Sequence, residues 1–148
     1  MYVTEGTKLL IAIFFLKDSK FGLSTENVQE VVKVGHLTPI RDAPDSVLGV
    51  MNLRGRIVTI IDLAIKLDLG KSEIGNDSRI FIIDWKHEYI GLLVDRVAEV
   101  IELEKSSLKP LPENFGENKS IMFQGIIHFE KKISALLNLN VILDEKIL

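Results

Sequence analysis

The chain contains no cysteine. Disulfides, thiolate nucleophiles and cysteine-ligated metals are thereby excluded, and the composition fits a reducing compartment. A basic excess is missing too. The 18 Lys and Arg against 21 Asp and Glu leave a formal net charge of −3, without the positive stripe that nucleic acid demands. His36, His87 and His128 show none of the short spacings of metal ligands, so solvated or structural roles fit each. No glycine-rich phosphate loop, serine elbow or dinucleotide fingerprint occurs, and no carboxylate pair stands out for acid–base work. The expectation is a binding module with no enzyme activity, no cofactor and no metal.

Long hydrophobic runs are also absent. The longest, Leu9 to Leu16, is far short of the roughly 20 residues of a membrane-spanning helix. Lys17-Asp18-Ser19-Lys20 follows it in place of a small-residue cleavage site, so the run reads as a buried strand. A cytoplasmic protein without direct membrane insertion is expected.

What is present is a hydrophobic content of 47% in 148 residues. That is enough for a sizeable interior, either one domain over 1–148 or two small lobes sharing a core. Strands are expected at Lys8 to Leu16, Phe21 to Leu23, Arg79 to Trp85, Tyr89 to Val94 and Val97 to Leu103, with a last hairpin at Ile121–Phe129 and Ile133–Leu139. Ser24 reads as the cap of a helix to about Lys33 that Gly35 ends, with Val28, Val31 and Val32 on one face. That face serves either core packing or a partner groove. Short helices are expected at Ala64–Leu69 and from Asn140 to Leu148. Residues 71–78 read as a polar, mobile segment, and Glu113 to Lys119 as a loop. The class is mainly β, barrel or sandwich.

Comparing the chain with itself reveals a duplication. Gly22-Leu23, Val28, Glu30, Val31 and Val32 recur at identical spacing as Gly91-Leu92, Val97, Glu99, Val100 and Ile101. Leu37-x-Pro39 recurs as Leu108-x-Pro110. Gly49-Val50, Ile57 and Ile60-Ile61-Asp62-Leu63 recur as Gly125-Ile126, Ile133 and Leu136-Leu137-Asn138-Leu139. Two similar small β-barrels are expected, each built on one copy.

Function belongs where the copies differ. Asn52-Leu53-Arg54-Gly55-Arg56 forms the tip of a tight hairpin, and its second strand, Ile57 to Ile61, reads as buried on both faces. The second copy has His128-Phe129-Glu130-Lys131-Lys132 there, a plain charged tip with no special backbone demand. Arg54 is the residue to single out, as a guanidinium locked by a carboxylate so that it shapes a surface. Asp62 is one available mate.

The stretch from Gly49 to Leu63, with its Asn-Leu-Arg-Gly turn and closing Asp62-Leu63, together with Gly91-Leu92-Leu93-Val94-Asp95, resembles the CheW coupling proteins of bacterial chemotaxis. The resemblance covers the chain from about Leu9 to Leu143. It implies two intertwined five-stranded SH3-like barrels with one or two short helices. It also implies a scaffold that holds the histidine kinase CheA, through its paralogous regulatory domain, to the cytoplasmic tips of methyl-accepting chemoreceptors in signalling arrays. By the same resemblance, Val28 and Gly49 match receptor-binding positions, and Glu30 and Arg54 match a pair tied to receptor coupling. The receptor-side set is then Val28, Glu30, Val31, Gly49, Asn52, Leu53, Arg54 and Gly55, while the pattern assigns no residues to the kinase-binding face. Thr59 stands where the family often has proline, and Asn138 and Asn140 where it often has aspartate. Two rivals remain: a small β-barrel enzyme or ligand-binding protein with a site between two lobes, and a coupling domain serving a receptor system outside chemotaxis.

Overall fold

The computed structural model describes residues 8–112 and 121–144. The ten described strands are β1 (Lys8–Leu16), β2 (Ser19–Ser24), β3 (Val28–Lys33), β4 (Val47–Leu53), β5 (Arg56–Asp62), β6 (Arg79–Trp85), β7 (Glu88–Val94), β8 (Arg96–Glu104), β9 (Phe123–Phe129) and β10 (Lys132–Leu137). Among the described residues two short α-helices accompany them, α1 (Leu63–Lys66) and α2 (Leu139–Asp144). The expected loop Glu113–Lys119 and the last residues of the expected terminal helix lie outside the described residues.

The strands form two five-stranded sheets, in the orders β8-β1-β2-β10-β9 and β3-β6-β7-β5-β4. Advancing each strand of one order by five places, with wrap-around, gives the other order. The duplication is therefore a duplication of topology. Gly49 and Gly125 pair with Ile60 and Leu136, and Ile57 and Ile133 each lie second in their strand, opposite Asn52 and His128. The copies do not, however, each build their own barrel, as the sequence repeat suggested. Each sheet takes a hairpin from one copy and three strands from the other, so the halves are intertwined. The reason is that the edge of hairpin β6–β7 is free to receive β3 on one side and β5 on the other, while β1–β2 accepts β8 and β10.

Strands buried on both faces feed three apolar clusters. Ile11, Ile13, Ile127 and Leu136 fill one sheet's own side, and Ile80, Ile82, Met51 and Ile60 occupy the equivalent positions of the other. A third cluster, containing Phe14, Phe81, Ile61 and Leu137, draws on both sheets and fills the space between them. That apolar filling occupies the inter-lobe space in which the enzyme or ligand-binding reading placed its site. The strand Ile57–Ile61 is buried on both faces only from Ile60 onward, because Ile57 is 60% exposed and Thr59 half-buried.

Gly22 and Gly91 sit at equivalent points of the two parallel seams. A Cβ on Gly22 would lie 2.7 Å from Ile127 Cδ1 and 2.9 Å from Ile11 Cγ2; on Gly91 it would lie 2.6 Å from Ile80 Cγ2 and 2.7 Å from Ile60 Cδ1. Both clashes are with packed core side chains, so overpacking governs the cost. Gly22→Ala and Gly91→Ala should each destabilise by about 1–3 kcal/mol in urea unfolding. A neutral result at one site only would break the equivalence of the two seams.

Asp62 is fully buried and joins the core to the following segment. Its carboxylate accepts from the Ala64 amide at 3.0 Å, capping α1, and from the Ser72 amide at 2.9 Å and hydroxyl at 2.7 Å. Residues 71–78 are thus anchored, contrary to the mobile reading, with Ser72 and Ser78 both buried. Polarity had suggested solvation, but these hydroxyls serve internal donors and acceptors. In the second copy Asn138 Oδ1 accepts only weakly from the Val141 amide at 3.4 Å, so asparagine suffices there. Asp62→Ala should cost about 3 kcal/mol, because it strands buried donors that met a charged acceptor. A variant with the unfolding midpoint of the parent would refute the clamp.

Candidate partner-binding site

The segment after Ser24 is a strand rather than the expected helix. Ser24 does cap a turn, its hydroxyl accepting from the Glu26 amide at 3.4 Å, but the turn ends after Thr25–Asn27. The β-branched Val28, Val31 and Val32 then extend and pair with β6, whose edge supplies the hydrogen bonds a helix would have made internally. Gly35 is accordingly no helix cap; its amide donates to Met51 Sδ at 3.3 Å. The three valines do not lie on one common face. A register shift between Val28 and Glu30 sends Val28 to the cluster shared by both sheets and Val32 to the single-sheet cluster, while Val31 points outward, 44% exposed.

At the hairpin tip, Arg54 and Gly55 have φ of 52° and 86°. Two successive left-handed residues make a type I′ turn, whose twist matches that of the flanking strands. Asn52 holds it: its Oδ1 accepts from the Gly55 amide at 2.9 Å. The asparagine and glycine of the tip are therefore turn chemistry, and the arginine is what the turn presents. The other tip is not free of backbone demand, since Glu130 and Lys131 also have positive φ, 49° and 66°.

Arg54 Nη2 donates to Glu30 Oε2, closing an ion pair between the tip and β3. Asp62 is not its mate, being committed to Ala64 and Ser72. Next to the pair, the Arg56 guanidinium stacks over the Tyr89 ring at 4.6 Å and donates to the Tyr89 hydroxyl. These four side chains rim a cavity of about 230 Å³ based on Leu53 and Val58 at the open end of the sheet. Sequence reasoning missed Tyr89. Its signal was available in the repeat, because Tyr89 lies two residues before Gly91 as Lys20 lies two before Gly22.

Glu30, Leu53 and Arg54 thus meet at one rim, with Asn52 and Gly55 holding the tip and Val31 on the outer face of the same strand. Val28 and Gly49 are not at the rim. Gly49 is buried with φ of 145°, and a Cβ there would lie 2.3 Å from the Thr38 carbonyl oxygen. What approaches Gly49 is this chain's own Thr38–Pro39 segment, bridged to Val50 by amide–carbonyl bonds of 2.9 and 2.8 Å. The second copy repeats the device. Lys109 bridges Ile126, and a Cβ on Gly125 would lie 2.8 Å from the Lys109 oxygen.

The rim offers fixed cations and a carboxylate on a rigid hairpin, with no nucleophile–base pair. Among the described residues no cluster of three or more His, Asp or Glu could hold a metal, and no helix is long and apolar enough to cross a membrane. The class defined by this arrangement is a duplicated, strand-exchanged β module that presents a charged rim on one hairpin tip.

The comparisons with known proteins carry this further. A CheW-like domain model matches residues 11–146, and the chain belongs to that family. It is 26% identical to the chemotaxis protein CheW of Bacillus subtilis over 97% of this chain and 91% of that one. With CheW of Rhizobium meliloti the identity is 29%, over 94% and 89%. The crystal structure of the scaffolding protein TtCheW from Thermoanaerobacter tengcongensis matches with a TM-score of 0.82 and 31% identity, covering 96% of this chain and 92% of that one. The protein is a non-enzymatic scaffolding and coupling protein of chemotaxis.

Proposed function

We propose that this chain, acting as one CheW-like domain over 1–148, couples the regulatory domain of the histidine kinase CheA to the cytoplasmic tips of methyl-accepting chemoreceptors. It does so from the cytoplasm, recruited to receptor arrays at the inner membrane face. The observation that carries this reading is the Arg54–Glu30 pair, which locks a type I′ tip to β3 in the first copy. The second copy has Glu99 and Glu130 at the corresponding positions and cannot form it. A specialised surface in one half of a duplicated scaffold suits an adaptor with two unlike partners. Val31, Glu30 and Asn52–Gly55 face the receptor. Val28 and Gly49 act on that surface through the fold.

Reconstitution tests the proposal. Kinase, receptor-bearing membranes and this protein should together raise receptor-dependent autophosphorylation well above kinase with receptor alone, and Arg54→Ala should remove most of the gain. Equal activity with and without the protein would overturn the coupling role.

A further inference from the structure

The second sheet end carries a different set of groups from the first. Where the first has Tyr89 and Arg56, the second has Lys20 and Lys132. Arg56 is satisfied by its own aromatic partner, but two ammonium groups carry only donors and cannot satisfy one another. A third cation joins them: Arg96 stacks on Phe15 at 3.9 Å, and Lys20 Nζ lies 5.3 Å from the same ring. Desolvation, then the neighbouring Lys132, hold the Lys20 ammonium below the usual lysine range; Arg96 adds to this and Glu99 opposes it. Beside these cations opens a groove of about 620 Å³ between β2 and β10, floored by Phe21, Ile126 and Ala135, with Ile133 at its lip 61% exposed. Asp18 is the acid lining it.

Adjacent like charges on a chain of net charge −3 are an unfavourable local arrangement that an incoming carboxylate relieves. The apolar floor rewards side chains that follow it in. We propose that this groove docks an acidic segment of a partner protein, which sets aliphatic side chains against Ile126 and Ile133 and carboxylates against Lys20, Lys132 and Arg96. Cations set beside apolar side chains suit a peptide that carries both acidic and aliphatic residues, and an anionic membrane surface is the alternative that the vesicles below exclude. The site is distinct from the Arg54 rim and does not depend on the receptor-side assignment.

The test uses the full-length ¹⁵N-labelled protein and a short fluorescent peptide alternating glutamate and leucine, with a glutamine-for-glutamate control and phosphatidylglycerol vesicles. The glutamate peptide should bind saturably, shift the Lys20, Lys132 and Ile133 amides and leave Arg54 and Gly55 unmoved. Binding should fall about tenfold in Lys20→Gln/Lys132→Gln and weaken with salt, while Lys20→Arg/Lys132→Arg, which keeps the charge and controls for folding, retains it. Equal binding of the glutamine peptide would overturn the proposal. So would vesicle binding that depends on the lysines without peptide binding.

Discussion

Gly49→Asp should unfold the chain or cost about 4 kcal/mol or more, the range reserved for steric conflict and buried charge combined. The φ of 145° already disfavours any side chain. The added Cβ would also meet the Thr38 carbonyl oxygen at 2.3 Å and the Pro39 Cα at 3.0 Å, backbone atoms that cannot swing away. The Thr38–Val50 bridge would have to open, and a carboxylate would enter a buried site. A direct receptor contact at Gly49, which the family resemblance implies, would give a milder outcome, in which the fold survives and only partner binding falls. Chemical denaturation followed by circular dichroism separates the two. A cooperative transition at the parent midpoint, with receptor affinity reduced, would restore the contact reading and remove the structural one.

The second large effect falls on function. Arg54 and Glu30 have side-chain exposures of 66% and 34%, so water screens the pair and its contribution to stability is about 0–1 kcal/mol. Arg54→Ala and Glu30→Ala should therefore fold like the parent. Alanine is the right replacement, because Arg54→Gly would also relieve the left-handed backbone of the turn and confuse the comparison. Binding of a receptor-tip fragment should fall at least tenfold in each single variant, about 1.4 kcal/mol. The double variant should lose little more, since either change alone frees the tip from β3. Such non-additivity is the signature of a shared interaction. Strictly additive losses would show two independent contacts and dismiss the clamp.

Much of this was legible in the residues. Apolar runs bounded by turn residues placed most strands, and Gly22, Gly91, Gly49 and Gly125 marked the duplication, because each stands where the other copy needs the same close approach. Strand exchange was not legible from the repeat. A repeat fixes which strands are equivalent, but the choice of hairpin edge is made in three dimensions. The segment Val28–Lys33 failed for a different reason. A serine cap and valines near helical spacing mimic a helix, whereas their β-branching and the open edge of β6 decide for a strand. The serines of 71–78 misled because polarity does not distinguish a solvated hydroxyl from one bound to a buried carboxylate. The Arg54–Glu30 partnership came from family resemblance. Nothing in the spacing selected Glu30 over Asp62 until Asp62 was found capping α1.

The most direct measurement of the central claim is amide chemical-shift mapping of a receptor-tip fragment on this protein, alone and then saturated with the kinase regulatory domain. The coupling account predicts shifts at Glu30, Val31, Arg54 and Gly55 that persist, at the same affinity or better, when the regulatory domain is bound. Shifts that vanish as the regulatory domain is added, or that never appear at the Arg54 rim, would contradict it.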